Sequence, residues 1–252
     1  MKQILIFTLA LALLSSPVAI TQADGQEQRP NSESAQKGKG KKKGGKGGPR
    51  INKPKISDTV RANIYADNWF KLYINGNLVA VDSISFIPHN VVSVDILPEY
   101  PMAIAVMAKD NADPKTGLEY NNTNLGDGGF VLKFGDGTVT SAAWKAKNFF
   151  HGPEDRENPT VTHTPIPDGW FKPDFDDSKW DNATEHTEEA VSPKEPYYDY
   201  DFEGAKWIWT DDLALDNLVL FRFKVDSPPN GAALPPDWPR GHIDASNKAT
   251  NE

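Results

Sequence analysis

The stretch WFKLYINGNLVAV, Trp69 to Val81, decides the fold. Phe70, Leu72 and Ile74 fall on one face of an extended chain, Asn75-Gly76 interrupts, and Leu78, Val79 and Val81 resume the apolar run. Side chains alternate across a strand, so this spacing fits a half-buried strand; a helix would repeat its apolar stripe every three to four residues. Asn-Gly supplies the two positive-φ positions of a type I′ turn, whose twist matches that of the flanking strands. The stretch therefore reads as a β-hairpin.

The same period runs outward from it. Val60, Ala62, Ile64 and Ala66 alternate with Arg61, Asn63 and Tyr65. Further strands are expected at Val91 to Ile96, Met102 to Met107, Phe130 to Phe134, Val139 to Trp144, Trp207 to Trp209 and Leu218 to Val225. Gly135-Asp136-Gly137 is a second hairpin turn, and no window of twelve residues keeps a 3.6 period. Short, evenly spaced strands with turn chemistry between them predict an all-β chain, an antiparallel β-sandwich or jelly roll with disordered tails at both ends.

The ends differ from this body. Met1-Lys2 is a short positive start, Ile4 to Leu14 is an apolar run too short to span a bilayer, and Thr21-Gln22-Ala23 has the small–x–small pattern of a cleavage site. Residues 1–23 read as a secretory signal peptide, so the expected location is extracellular or periplasmic. Residues 24–55 form a Lys/Gly-rich linker: Gln36 to Lys55 holds nine Lys or Arg and no acid. Mutual repulsion, glycine entropy and the near absence of apolar residues predict disorder there. From Ile56 onward the balance reverses, with 16 bases against 32 acids. The arm is either a solvated spacer or an anchor to a polyanion. No aromatic residue interleaves the lysines, so nucleic-acid stacking is unsupported. Residues 226–252 read as a Pro-rich tail. The chain has no cysteine. An exported domain without disulfides needs a large apolar core, and residues 56–225 are long enough to build one.

Several segments together resemble the galactose-binding-like β-sandwich modules attached to rhamnosidases and other secreted glycoside hydrolases. ADNWFKLYINGNLV is similar to their Asn-Gly hairpin, and AIAVMAKDN to a later strand. FGDGTVTSAAWK with GWFKPDFDDSKWDNA resembles their closing segment, and AKWIWTDDLALDNLVLFRFKV their WIW…FR strand pair, which here closes the domain instead of opening it. The resemblance implies a non-catalytic carbohydrate-binding role, and many such modules carry a structural calcium.

GWFKPDFDDSKWDNA, Gly169 to Ala183, sets Asp174, Asp176, Asp177 and Asp181 among Trp170, Phe171, Phe175 and Trp180. It reads first as a structural turn. Asp176 or Asp177 would cap the backbone amide of Lys179 or Trp180 while Phe175 and Trp180 peg the sandwich edge. A calcium cage and a catalytic carboxylate pair are the other readings.

The loop KDNADPKTGLEYNNTNLGDGGF, Lys109 to Phe130, is longer than a structural connection needs. Its oxygen donors, Asp110, Asp113, Glu119 and Asp127, sit on a glycine-rich backbone suited to Ca²⁺, although the spacing is not that of an EF-hand. The plain reading, a solvated or self-bonded loop, stands ahead of the calcium one, and a direct ligand contact is the third. Aromatic faces stack on pyranose rings. Trp69, Tyr120, Trp170 and Tyr198 are therefore the candidate ligand-binding residues, with Phe171, Tyr197 and Tyr200 beside them. Trp144, Trp207 and Trp209 fit core positions.

Enzyme signals are weak. The five histidines, at 89, 151, 163, 186 and 242, lack zinc spacing. There is no Gly-x-Ser-x-Gly and no phosphate loop. No catalytic residue is nominated. The expected function is that of a secreted non-catalytic binding module for an extracellular glycan or similar polar ligand. A surface-matrix protein docking to polyanions and a glycoside hydrolase are the rival classes.

Overall fold

The computed structural model describes residues 54–83, 90–229 and 231. Residues 1–23, read above as an export signal, nearly all of the basic arm and almost all of the tail lie outside the described residues, as do His89 and His242.

Twelve strands dominate the regular structure of the described residues: β1 (Val60–Asp67), β2 (Trp69–Ile74), β3 (Asn77–Val81), β4 (Val92–Ile96), β5 (Met102–Lys109), β6 (Gly129–Phe134), β7 (Lys145–His151), β8 (Thr162–His163), β9 (Asp181–Asn182), β10 (Thr184–His186), β11 (Trp207–Trp209) and β12 (Asp216–Val225). They form two antiparallel sheets. One has the order β10-β11-β6-β1-β4; the other runs β3-β2-β5-β12-β7-β8, with β9 also pairing β7. A single four-residue α-helix, α1 (Glu188–Val191), and two 3-10 turns are the helical elements among the described residues.

Period two is what builds the interior. Ala62, Ile64 and Ala66 from β1 and Phe130, Leu132 and Phe134 from β6 meet Phe70, Leu72, Ile104, Val106, Val219 and Phe221 from the opposite sheet. Phe130 stacks on Phe221 at 5.4 Å between ring centroids. Each large side chain removed from water contributes about 2–3 kcal/mol.

The hairpin forms as its sequence requires. Asn75 and Gly76 have φ of 48° and 82°, and Ile74 faces Asn77 across the turn. The Asn75 side chain adds a second lock: its Oδ1 accepts from Ala103 N–H at 2.7 Å, and its Nδ2 donates to Glu99 O at 3.0 Å.

Two expectations fail in detail. Val139 to Trp144 is not a strand. Only Val139 bridges back to Lys133, and then Thr140 is buried with its hydroxyl donating to Lys206 O at 2.6 Å. This segment carries the chain from the five-stranded sheet to the other, so its residues cannot continue either ladder; β7 begins at Lys145. Trp207 to Trp209 and the Phe-Arg-Phe strand are not a pair either. β11 joins the five-stranded sheet beside β6, and β12 sits between β5 and β7 in the other.

Both sheets are also covered on their outer faces, which an alternating pattern alone does not reveal. Trp170 and Trp180 pack with Ala105, Phe149 and Leu220 outside the seven-stranded sheet. Val191, Phe202 and Trp207 pack with Tyr65 and Val131 outside the five-stranded one.

Candidate metal and ligand site

The acidic aromatic stretch is used up by packing. Phe175 and Trp180 stand edge to ring, and Trp180 meets Phe149. They lie on the outer face of the sheet, not at its edge. Asp176 caps Ser178, whose amide donates to Oδ1 at 3.0 Å, instead of Lys179 or Trp180. Asp177 accepts from Arg222 Nε at 2.7 Å. Arg222, on β12 and only 5% exposed, also donates to the carbonyls of Trp170 and Lys172 and lies 5.2 Å from the Phe175 ring centroid. A buried cation needs such a full set of acceptors. Asp174 and Asp176 are exposed.

The long loop behaves differently. Asp67 ends β1 opposite Gly129, and Lys109 ends β5 opposite Leu218. These pairings bring Asp67, Asp110, Asp127 and Asn217 to one end of the sandwich. Asp110, Glu119 and Asp127 each place a carboxylate oxygen within 4.8 Å of the other two, the only such group among the described residues. Asp110 and Glu119 are buried; Asp127 is exposed. Asp113 is not with them. Its Oδ1 accepts from the amides of Lys115 at 2.8 Å and Thr116 at 3.1 Å, which makes it a turn cap and holds its carboxyl below the usual range.

The loop is folded on itself. Glu119 bridges to Asn124, and Tyr120, Asn121 and Asn122 take φ of 46°, 60° and 65° in succession. Asn111 N–H donates to Asp110 Oδ1 at 2.6 Å and to Glu119 Oε1 at 3.2 Å, while Asp127 N–H donates to Asp110 Oδ2 at 3.1 Å. These donors do not neutralise the group. Burial, then the hydrogen bond to Asp110, then the charges of Asp110, Asp127 and Asp67 push the Glu119 carboxyl up to about 9. Burial followed by the Asp127 and Asp110 charges pushes Asp67 up to about 8, and burial raises Asp110 as well. Two carboxyls close enough to hydrogen-bond must share a proton or a cation.

Asn217 adds a neutral oxygen. It is 0% exposed, and neither atom of its side-chain amide has a hydrogen-bond partner. A methyl group on Gly126 would collide with Asp110 Oδ2 and lie 2.7 Å from Asn217 Oδ1, so the two oxygens are neighbours and only glycine fits beside them. Neither Asn217 nor Asp67 stands out in sequence: both sit in apolar strand patterns, and only pairing across the sheets brings them to the loop.

The candidate aromatics divide. Trp69, which faces Lys109, is half-buried; its Nε1 donates to Asp82 O at 2.9 Å and Lys71 Nζ sits 5.2 Å over the ring. Tyr120, next to Glu119, is 53% exposed at the same end. Trp170 is 5% exposed, packed against Tyr73 and Phe171, and has no face to offer a sugar. Tyr198, 58% exposed, lies on a 3-10 turn (Tyr197–Asp199), with Tyr200 exposed beside it. Tyr197 instead turns inward onto Phe202 and Trp207.

None of the three described histidines belongs to the Asp110–Glu119–Asp127 group. His151 Nδ1 lies 2.6 Å from Asp216 Oδ1, His163 stacks on Phe150, and His186 bonds Thr210 O. No helix among the described residues is long and apolar enough to cross a membrane. No family model matches the chain, and no curated protein and no solved structure matches it.

Proposed function

We propose that the chain is an exported, non-catalytic binding module whose ligand face is the loop end of the sandwich. One observation carries this reading: an exposed aromatic ring, Tyr120, directly follows Glu119 of the carboxylate group, and a half-buried one, Trp69, starts β2 opposite Lys109 at the same end of the β scaffold. Rings of this kind stack on the apolar faces of sugars, and carboxylates accept sugar hydroxyls. A site on loops held by a packed sandwich is a common way to present such groups. The ligand class is an extracellular carbohydrate or a similar polar molecule. The other acid-rich stretch is committed to Arg222 and to packing, which argues against a catalytic pair there.

A glycan array probed with the full chain tests this. Retention on at least one glycan, lost in Tyr120→Ala and in Trp69→Ala, is expected. Retention unchanged in both variants removes the loop end as the ligand face. The charge split favours a second role for the arm: nine cations precede a body with 32 acids against 16 bases. Salt-sensitive retention on heparin, abolished by deleting residues 36–55, would identify it as a polyanion anchor.

A further inference from the structure

We infer that Asp110, Glu119, Asp127 and Asn217 together bind one hard divalent cation of the calcium class, which pins the loop between β5 and β6 to the start of β12. The inference does not depend on what the loop end binds as ligand.

Three carboxylate oxygens within 4.8 Å of one another repel strongly unless protons or a cation lie among them. A shared proton would satisfy the Asp110–Glu119 pair. It would do nothing for Asn217, whose buried amide oxygen has no partner and lies near Asp110 Oδ2, both oxygens crowding the same side of Gly126. Buried polar atoms without partners are rare and costly. One cation accounts for both observations.

The donor set selects its class. All four donors are oxygens, three of them carboxylates, and none of the described histidines joins them; zinc and copper prefer nitrogen or sulfur. Calcium accepts oxygens in loose geometry, with water filling the remaining positions on the exposed Asp127 side. The site also fits its place in the chain. Asp110 N–H already donates to Asn217 O at 2.9 Å, so the end of β5 and the start of β12 meet here before any ion is added. Glu119 and Asp127 come from the loop. A cation held by all four would tie that loop, and Tyr120 with it, to the centre of the seven-stranded sheet.

The test is titration of Ca²⁺ into chelator-treated full-length protein by calorimetry, with thermal melting and Tb³⁺ luminescence in parallel. One ion per chain and a raised melting temperature are expected. Asn217→Leu and Glu119→Gln should each weaken Ca²⁺ by at least about tenfold. Asn217→Asp should keep it, and Asp113→Asn should leave it unchanged. Circular dichroism establishes that each variant is folded. No heat and no melting shift in the unaltered protein overturns the site. A folded Asn217→Leu protein binding Ca²⁺ at full strength overturns the assignment of Asn217. Calcium binding without glycan retention would remove only the ligand reading.

Discussion

Replacing Arg222 by Met keeps the aliphatic stem and removes the guanidinium that clamps residues 169–180 to the outer face of the seven-stranded sheet. Three acceptors lose their donor: Asp177 Oδ2, Trp170 O and Lys172 O. A hydrogen bond to a charged group contributes about 1.5–3 kcal/mol, and an acceptor left dry costs about 1–3 kcal/mol. Water can reach Asp177, whose side chain is 32% exposed, and Lys172 O, which is only part-buried. Trp170 O is fully buried. The full cost therefore falls on one bond, and the other two add a fraction each. The sum is about 3 kcal/mol, the low end of what breaking a buried ion pair costs. For a domain of this size that lowers the melting temperature by roughly 6–12 °C. Urea unfolding followed by tryptophan fluorescence reads the loss, provided the denaturant slope is unchanged. Limited proteolysis should find a new cut within residues 169–180. A loss under about 1 kcal/mol, or unaltered proteolysis, would show that this stretch is not held in the way described.

Trp180→Ala should cost about 3 kcal/mol by urea unfolding, because a side chain only 6% exposed leaves a cavity against Phe149 and Phe175. Gly76→Ala should cost about 1–2 kcal/mol: its φ of 82° strains any side chain, while the nearest atom to the new methyl, Pro173 Cδ, stands 3.5 Å away and leaves it room. The cation-free protein should lose stability as pH rises. Glu119 and Asp67 bind protons more tightly folded, at about 9 and about 8, than their ordinary 4.5 and 3.8. The stabilisation is complete below those ordinary values and lost as pH climbs through the folded ones. Melting temperature should fall from about pH 5 to about pH 9, and added Ca²⁺ should flatten the slope. A melting temperature that climbs over that range without calcium would contradict the assignment.

The hairpin was legible because its signals are local: Phe70, Leu72 and Ile74 on one face, and two residues tolerant of positive φ at the turn. β7 was not. In KAKNFFH the alternation is broken by Asn148 and by Phe149 and Phe150, which are buried on opposite faces because this sheet is covered on both sides. The same cover buries Arg222, whose place in FRFKV reads as outward. At the site, Asp110, Glu119 and Asp127 were readable as oxygen donors on one loop. Asp113 looked equivalent and turned out to be a turn cap. Asn217 lies 107 residues beyond Asp110 and reaches it only because β12 pairs with β5. No spacing rule along the chain reports that contact.

The two acid-rich segments give opposite answers to one experiment. Crystals of the full chain grown with Tb³⁺ in place of calcium should show a single anomalous peak in contact with Asp110, Glu119, Asp127 and Asn217, and none beside Asp174, Asp176 or Asp177. A peak in the second group, or none in the first, would contradict the division of the molecule into a functional loop end and an aromatic pad that serves only packing.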